Sequence, residues 1–431
     1  MSGLLGSLNT AASGMRANQT VIQTINHNIS NMNTPGYTRQ RVELQTNIPY
    51  TRPGVSTSPI GAGQIGQGVS AASITRVRNS FYDHQLRSET HNYGNVSVKA
   101  EHFSNIESIF NEPSDTSISS ALNNFFNGFT EIAKNPTSTY AKKHLVESTT
   151  YLTNTINQVT QRLDTLKDNL KVQEEGTITD INNILGQLAD LEKDIKLAEA
   201  VGKNPNDLLD RKDLLIDELS FKVNINDADV QAALADGTLT ADEVAAINTS
   251  GELQAIKDMQ DEIDSIIGEM EVFMKTLADG VNDIYRNDPT APDTKDFFVL
   301  GTDKNGLPTI SINDDILNDP TSLVMSSDKA LALADVKTTK FTVNGESVTI
   351  GGFFNNIIQE VGYRTQEMTR ETQNRAALIF NIEDAKASIS GVSLDEEMIS
   401  LMQFEHAYNA TAKVAATIDS LLDVVINGLI K

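Results

Sequence analysis

Residues 4–33 read LLGSLNTAASGMRANQTVIQTINHNISNMN, and their apolar positions recur at alternating steps of four and three. This spacing is typical of the contact seam of a coiled coil. The predicted seam consists of Leu4, Leu8, Ala11, Met15, Asn18, Ile22, Ile25, Ile29 and Met32. Between Met1 and Gly36 the only charged side chain is Arg16. The stretch therefore predicts a helix with an apolar stripe and almost no charge.

The composition of this helix indicates that it needs a partner. Half of its positions are Asn, Ser, Thr or Gly, which are weak helix formers, and an isolated helix of this kind is marginal in water. We expect it to become ordered when its apolar stripe is buried against another surface. An ordinary core helix is the alternative, although such a helix normally carries a charged outer face.

The C-terminal end shows a matching pattern. One apolar stripe contains Leu394, Met398, Leu401, Tyr408, Ala412, Ala415, Leu422, Ile426 and Leu429, and a second contains Phe404, Ala407, Val414, Ile418, Leu421 and Val425. Ser393 and Glu396 have the spacing of a capping box, which predicts the start of the helix. Two adjacent stripes make a wide apolar face that favours binding to other protein surfaces, with a terminal core helix as the alternative.

Composition and charge limit the functional classes to which the protein can belong. The chain has 431 residues, enough for two or three domains, and a formal net charge of -24, which argues against a nucleic-acid-binding surface. It contains no cysteine, so disulfides, thiolate metal sites and a cysteine nucleophile are excluded. The N-terminus lacks the pattern of a secretory signal peptide, and the most apolar stretch, 421–430, is too short to span a membrane. We expect no membrane partner.

The fold class expected from these patterns is mainly α. It is an elongated antiparallel helical bundle with coiled-coil terminal helices and a small mixed α/β middle domain. Such a chain runs out along one bundle and returns, which brings its two terminal helices side by side. The predicted units are an assembly helix (1–36), a bundle arm with an extended loop (37–220), a reduced middle domain (221–351) with a helix at about 251–286, a returning helix (352–390) and a second assembly helix (391–431).

Local signals add detail to this outline. Helix one should end near Asn33, because Pro35-Gly36 suits the centre of a type II turn. Extended segments are predicted at 37–46 and 69–77, and strand-like pieces at 297–300 and 341–350. Helices are predicted at 79–110, 118–133, 206–219 and 353–389, and a very long one begins after Pro136, with a stutter at Gly176.

Signs of chemistry are weak. Gly61, Gly63 and Gly66 match a dinucleotide-binding fingerprint but lack its strand-turn-helix context, and residues 232–243 imitate only half of an EF-hand loop. His84 and His91 share a helical face but are seven residues apart, about 10 Å of helical rise, too far to bind one metal. We therefore expect no catalytic, cofactor-binding or metal-binding residues, no small-molecule substrate and no enzymatic activity.

Three stretches carry a resemblance to a known family. They are NISNMNTPGYTRQ at 28–40, GQGVSAASITRVRNSFYDHQLR at 66–87 and the ending from SGVSLDEEM at 390 to SLLDVVI at 426. Together they resemble the bacterial flagellar rod, hook and hook-associated proteins. Within that family, TRQR at 38–41 and NDLLD at 206–210 resemble the hook-filament junction members. The resemblance fails in the middle, where these proteins usually carry larger β-rich domains.

The resemblance implies a structural adaptor that joins hook to filament. Its implied partners are the hook protein, the next junction protein, copies of itself in a ring and a cytosolic export chaperone. The implied route is type III export from the cytoplasm to the extracellular flagellum. The implied N-terminal assembly residues are Leu4, Leu8, Met15, Ile22, Ile25, Ile29, Asn31, Thr34, Pro35, Gly36 and Tyr37. Those implied for assembly or chaperone binding at the other end are Leu401, Phe404, Tyr408, Val414, Ile418, Leu421, Leu422 and Val425.

Two other functions stay open at this point. A flagellar hook or rod subunit is the alternative within the same family. An independent coiled-coil surface protein is the alternative of a different class, and its terminal helices would be stable in the dilute, isolated chain.

Overall fold

A computed structural model describes residues 2–48, 66–236, 240, 249–286, 295–323 and 325–427. Its helices are α1 (Ser2–Ser30), α2 (Ser80–Phe110), α3 (Ile118–Lys134), α4 (Thr139–Ala200), α5 (Asn206–Lys222), α6 (Ala228–Asp236), α7 (Glu252–Arg286), α8 (Asp314–Asn318), α9 (Ser327–Asp335), α10 (Ile350–Ser390) and α11 (Leu394–Asn427). Three antiparallel pairs of strands are β1 (Gln40–Thr46) with β2 (Val69–Arg76), β3 (Phe298–Thr302) with β4 (Pro308–Ile312), and β5 (Lys340–Val343) with β6 (Glu346–Thr349). The predicted mainly α fold is confirmed.

Helix α4 is the longest element and makes the bundle elongated. It has 62 residues, which at 1.5 Å per residue is a length of about 93 Å. Buried apolar residues recur along most of this length, from Ala141 to Ile195. The helix does not break at Gly176, the predicted stutter. Instead, the hydrophobic core on α4 changes from one cluster to another between Leu170 and Ile181.

The first and larger core joins the N-terminal part of α4 to helices α2, α3, α7, α9 and α10 and to strands β3 and β4. Aromatic rings fill its centre, and the ring centroids of Phe125 and Phe298 are 5.4 Å apart. The buried carboxamide of Asn282 accepts the backbone N–H groups of Phe297 and Phe298, each at 2.9 Å. The β3–β4 hairpin is thus fixed to α7 by polar as well as apolar contacts.

The second core is smaller and lies at the far end of α4. Ile184, Leu188 and Leu191 of α4 pack there with Leu219 of α5 and Val230 of α6. Helix α6 lies within the predicted reduced middle domain (221–351), where the sequence predicted a helix only at about 251–286.

The chain returns as predicted. Helix α10 packs along α2, and α11 then packs along α1, so the two terminal helices lie side by side. The β1–β2 hairpin also packs on α1. The division of the chain into domains at 36, 220, 351 and 390 stays a prediction.

Several element boundaries differ from the prediction. Helix α1 ends at Ser30, three residues earlier than expected, and α10 begins at Ile350, three residues earlier than expected. Strand β4 was not predicted. The piece predicted at 341–350 is the β5–β6 hairpin, whose Asn344-Gly345 turn has φ of 51° and 85°, as in a two-residue type I′ turn. Gly61, Gly63 and half of 232–243 lie outside the described residues.

The α2 helix carries a histidine into the interior of the bundle. His102 is 6% exposed, and burial lowers its pKa, although the nearby Glu101 carboxylate opposes this. A histidine whose pKa is lower in the folded state binds protons more readily when unfolded. Its contribution therefore makes the protein less stable as pH falls below the ordinary histidine pKa of about 6.5.

We expect His102→Leu to reduce the loss of thermal stability between about pH 7.5 and pH 5.5, because the variant has no imidazole to protonate. Melting temperatures measured by circular dichroism across this range test the prediction. His84→Leu is the matched control, because His84 lies on the same helix but is exposed. An unchanged pH dependence in His102→Leu would contradict the expectation.

Candidate functional site at the terminal helix pair

The terminal helices α1 and α11 run antiparallel. A Cβ atom at Gly14 would lie 3.3 Å from the Thr411 methyl group, and Asn28 Nδ2 is 3.1 Å from Glu397 Oε2. Moving forward along α1 therefore means moving backward along α11. Gly14 has no side chain to hold the helices apart, so they approach closely at this point.

The face that α11 turns toward α1 follows alternating steps of four and three. It contains Glu397, Leu401, Phe404, Tyr408, Thr411, Ala415, Ile418, Leu422 and Val425, all buried or partly buried. This face takes members from both predicted stripes. Val414 and Leu421, which were also predicted as site residues, are 52% and 49% exposed. A helix that is apolar on several sides does not reveal in its sequence which side meets its partner.

The buried face of α1 is rotated from the predicted seam. Its buried residues are Ala11, Ala17, Val21, Thr24, Ile25 and Asn28. Of the predicted seam, Ala11 and Ile25 are buried, whereas Leu4, Leu8, Met15, Ile22 and Ile29 are partly exposed and Met32 is 40% exposed. The hairpin explains the rotation, because α1 must cover both α11 and β1–β2. Asn28 is the most fully buried polar residue of this face, and the predicted register-setting residue Asn18 is only partly buried.

The turn after α1 has the predicted geometry. The Tyr37 N–H donates to the Thr34 carbonyl at 3.2 Å, and Gly36 has φ of 76°, as a type II turn requires. Thr34, Pro35 and Gly36 are exposed, while Asn31 and Tyr37 are partly buried. Gly36 faces the Leu214 side chain of α5, and a Cβ at Gly36 would lie 3.3 Å from Leu214 Cβ.

Asn28 connects three parts of the chain and is 1% exposed. Its Nδ2 donates to the Gln40 carbonyl at 2.9 Å and to Glu397 Oε2 at 3.1 Å. Its Oδ1 accepts from the Gln40 N–H at 3.0 Å and from the Tyr37 hydroxyl at 2.7 Å. All four hydrogen-bonding positions of the amide are therefore used.

These bonds also determine which ring nitrogen of the neighbouring His27 must carry a proton. Because the Tyr37 hydroxyl gives its one proton to Asn28, His27 Nδ1, 3.0 Å from that hydroxyl, must be a donor. Burial, and then the carboxylates of Asp207, Asp210 and Glu397, raise the pKa of Tyr37 well above its ordinary value. The hydroxyl therefore keeps its proton and remains a donor.

Arg39 holds the start of α11. Its guanidinium lies 2.8 Å from the Glu396 carboxylate and 2.7 Å from the Glu397 carboxylate, and Glu397 is 2% exposed. The backbone N–H of Arg39 donates to the Ser390 carbonyl at 2.9 Å. The predicted capping box does not form, because the Glu396 carboxylate accepts from Arg39 instead of turning back to Ser393. The buried Glu397 charge is thus paired, as a charge at such a site must be.

Helix α5 binds the same segment from the other side. Gln40 Nε2 donates to Asp207 at 2.8 Å, and the Thr38 N–H donates to Asp210 at 3.0 Å. Asn206 Nδ2 donates to Gln40 Oε1 at 3.1 Å. The stretches 38–41 and 206–210, which are far apart in sequence, therefore bind each other directly. The predicted site did not include Asn28, Arg39, Gln40, Asp207, Asp210 or Glu397, and the only signal for them was their place in the quoted motifs.

In the described part of the chain, no group of three or more His, Asp or Glu side chains is placed to hold a metal ion. Over the same residues, no helix combines the length and apolar character needed to cross a bilayer.

Known protein families match three segments of the chain. The family described as "Flagellar hook-associated protein FlgK helical domain" matches 103–240. "Flagella basal body rod protein" matches 8–38, which covers most of α1 and the turn, and "Flagellar basal body rod FlgEFG protein C-terminal" matches 387–428, which covers α11. The helix pair and the bundle are thus matched by different families.

Relatives that align over the full length of the chain show which family the whole chain belongs to. Flagellar hook-associated protein 1 of Bacillus subtilis is 30% identical over 100% of this chain and 99% of its own length. The chain belongs to the flagellar hook-associated protein 1 family. Its relative in Salmonella typhimurium is 23% identical over 97% of this chain and 99% of its own length. Members of this family are structural components of the flagellum and associate with other flagellar components.

A solved structure agrees in fold. The flagellar hook junction protein FlgK from Burkholderia pseudomallei superimposes with a TM-score of 0.58 at 12% identity, covering 71% of this chain and 100% of that one. Over a shorter stretch, 79 residues, the basal-body rod protein FlgG of Caulobacter vibrioides is 44% identical, covering 16% of this chain and 30% of its own length.

We expect Asn28→Ala to loosen α1 from Gln40 and α11. The change leaves buried groups on Gln40 and Glu397 without partners, at a cost on the order of 2 kcal/mol. Amide hydrogen exchange at Gln40 and along α1 should accelerate, while exchange in α7 stays unchanged. Asn26→Ala, at an exposed position of the same helix, is the control. Equal exchange in both variants would show that the Asn28 contacts do not hold the helix.

Proposed function

We propose that the chain is a non-enzymatic structural adaptor that joins the flagellar hook to the filament. The observation that carries this proposal is the full-length similarity to flagellar hook-associated protein 1. Its similarity to the hook junction protein in fold is consistent with the same place in the flagellum.

Assembly, in this proposal, uses the apolar surface that the helix pair leaves uncovered. Leu5 of α1 is 56% exposed, and Val414, Leu421 and Val424 of α11 are 49–62% exposed. Leu8, Met15 and Ile22 of α1 are partly exposed. Exposed apolar surface of this kind favours association. Neighbouring subunits would bury it and would stabilise two helices that pair chiefly with each other.

The partners we propose are the hook protein, the next junction protein, further copies of this chain in a ring and, before export, a cytosolic chaperone. The chain would leave the cytoplasm through the flagellar type III apparatus and reside in the extracellular flagellum. The wide apolar surface of α11 supports the chaperone, because such a surface needs cover until assembly.

The location of the protein tests the proposal. We expect a gold-tagged antibody against this chain to label isolated flagella as a single band where the hook meets the filament. Electron microscopy reads the result, and flagella from a strain lacking the gene serve as the control.

The other outcomes contradict the proposal in different ways. Label along the whole hook, rod or filament would indicate that the chain is the repeating subunit of that part. Both ends of the chain match rod-protein families, which is the reason to test this alternative. Label on the cell surface without label on flagella would indicate an independent surface protein.

The proposed chaperone site gives a second test. We expect Leu421→Asp and Val414→Asp to weaken binding of the export chaperone, since each places a charge on the exposed apolar face of α11. Asn409→Asp makes the same charge change at an exposed polar position and should leave binding intact. Titration calorimetry gives the affinities, and equal affinity in all three variants would place the chaperone site elsewhere.

A further inference from the structure

The terminal helix pair and the bundle meet through charged and polar groups rather than through a shared core. Neither hydrophobic core includes a described residue of α1, β1, β2 or α11. The hairpin instead reaches α5 with Arg76 of β2, and the link to α2 adds Arg78. The contact between these two parts of the molecule therefore combines ion pairs with the hydrogen bonds of Thr38, Gln40 and Asn206 described above.

Carboxylates on one face of α5 receive these arginines. Asp210, Asp213 and Asp217 are separated by three and four residues, so their side chains line up along the helix. The opposite face of α5 places Leu215 and Leu219 in the second core. Helix α5 is thus fixed to the bundle by its apolar face and presents acid to the hairpin.

Four cations and four carboxylates form what we call the ionic ladder. Its members are Arg76, Arg78, Arg87 and Lys386 with Asp83, Asp210, Asp213 and Asp217. Their formal charges cancel. Their side chains are 7–26% exposed, so water screens each pair only partly.

Asp213 has a distinct position in the ladder, because three arginines share its carboxylate. Arg76 lies at 2.7 Å, Arg87 at 3.0 Å, and Arg78 is also bound. Each of these arginines has one further partner: Asp210 for Arg76, Asp83 for Arg78 and Asp217 for Arg87. Asp213 is the group that joins the hairpin side of the ladder to the α2 side.

We infer that Asp213 is a positioning residue that fixes the orientation of the terminal helix pair on the bundle. With Asp213 neutralised, the four cations of the ladder face three carboxylates, and the three arginines that converge on Asp213 repel each other. The hairpin and the helix pair that it carries then leave their single orientation. Because no apolar core crosses the contact, this reorientation exposes little apolar surface, and both parts stay folded.

This inference concerns the free chain and stands apart from the proposed place in the flagellum. Because the sequence contains no cysteine, Gln23→Cys on α1 and Val172→Cys on α4 allow two spin labels to be attached selectively. Both positions are exposed, Val172 at 70%. Pulsed electron spin resonance then gives the distribution of distances between the helix pair and the bundle in the full-length chain.

We expect a narrow distribution for the labelled parent chain and a broadened one for Asp213→Asn. Asp190→Asn is the matched control, because Asp190 is 80% exposed and its ion-pair partner among the described residues is Lys193 at the surface of α4. Its distribution should equal that of the parent. Salt at about 1 M, where the screening length is about 3 Å, should broaden the parent distribution by less than Asp213→Asn does.

Three results would overturn the inference: a broad distribution in the parent, an unchanged one in Asp213→Asn, or equal broadening in Asp190→Asn. Circular dichroism shows whether Asp213→Asn keeps the bundle folded. If the bundle does not stay folded, the distance distribution is measured in Arg76→Gln instead, because Arg76 belongs to the hairpin and lies outside both hydrophobic cores. Broadening in that variant supports the inference, and a parent-like distribution overturns it.

Discussion

The fully bonded carboxamide of Asn28 is the interaction on which the ends of this protein depend. It joins the end of α1 to the signature turn, to β1 and to the buried Glu397 of α11. A buried amide with four satisfied bonds tolerates little displacement, because any shift leaves a polar group without a partner. Arg39 completes the arrangement by pairing with the Glu397 charge. Two helices at opposite ends of the chain are thereby held in one register.

The molecule uses different forces in different places. The bundle is held by two apolar cores strung along α4, and its aromatic centre also positions the β3–β4 hairpin. The helix pair has a thin apolar interface and leaves apolar side chains exposed. Between them lies the ionic ladder. A bundle with its own apolar cores, a helix pair with uncovered surface and a polar and ionic contact between them suit a subunit whose ends must pack against neighbours in an assembly.

Much of the fold could be predicted from the sequence because most of it is strongly periodic helix. The long helices, the Pro35-Gly36 turn, the extended segments that become β1 and β2, and the return of the chain were all predicted. Strand β4 and helix α6 were missed, since short elements carry little periodic signal. Of the candidate site, the two terminal helices were identified, but the sequence did not separate the face of each helix that meets the other helix from the faces that stay exposed. Leu421 and Val414 are exposed, whereas Asn28 and Glu397 are buried.

The sequence by itself determined the class of fold, the presence of two apolar terminal helices and, through the motifs at 28–40, 66–87 and 390–426, the family. Local spacing and turn chemistry suffice for these, because they depend on residues close in sequence. Only the tertiary structure decided which face of each helix is buried and which charges meet. Glu397 lies 369 positions from Asn28, and Asp213 lies 137 positions from Arg76. Such pairings follow from how the whole chain returns on itself, which no local pattern records.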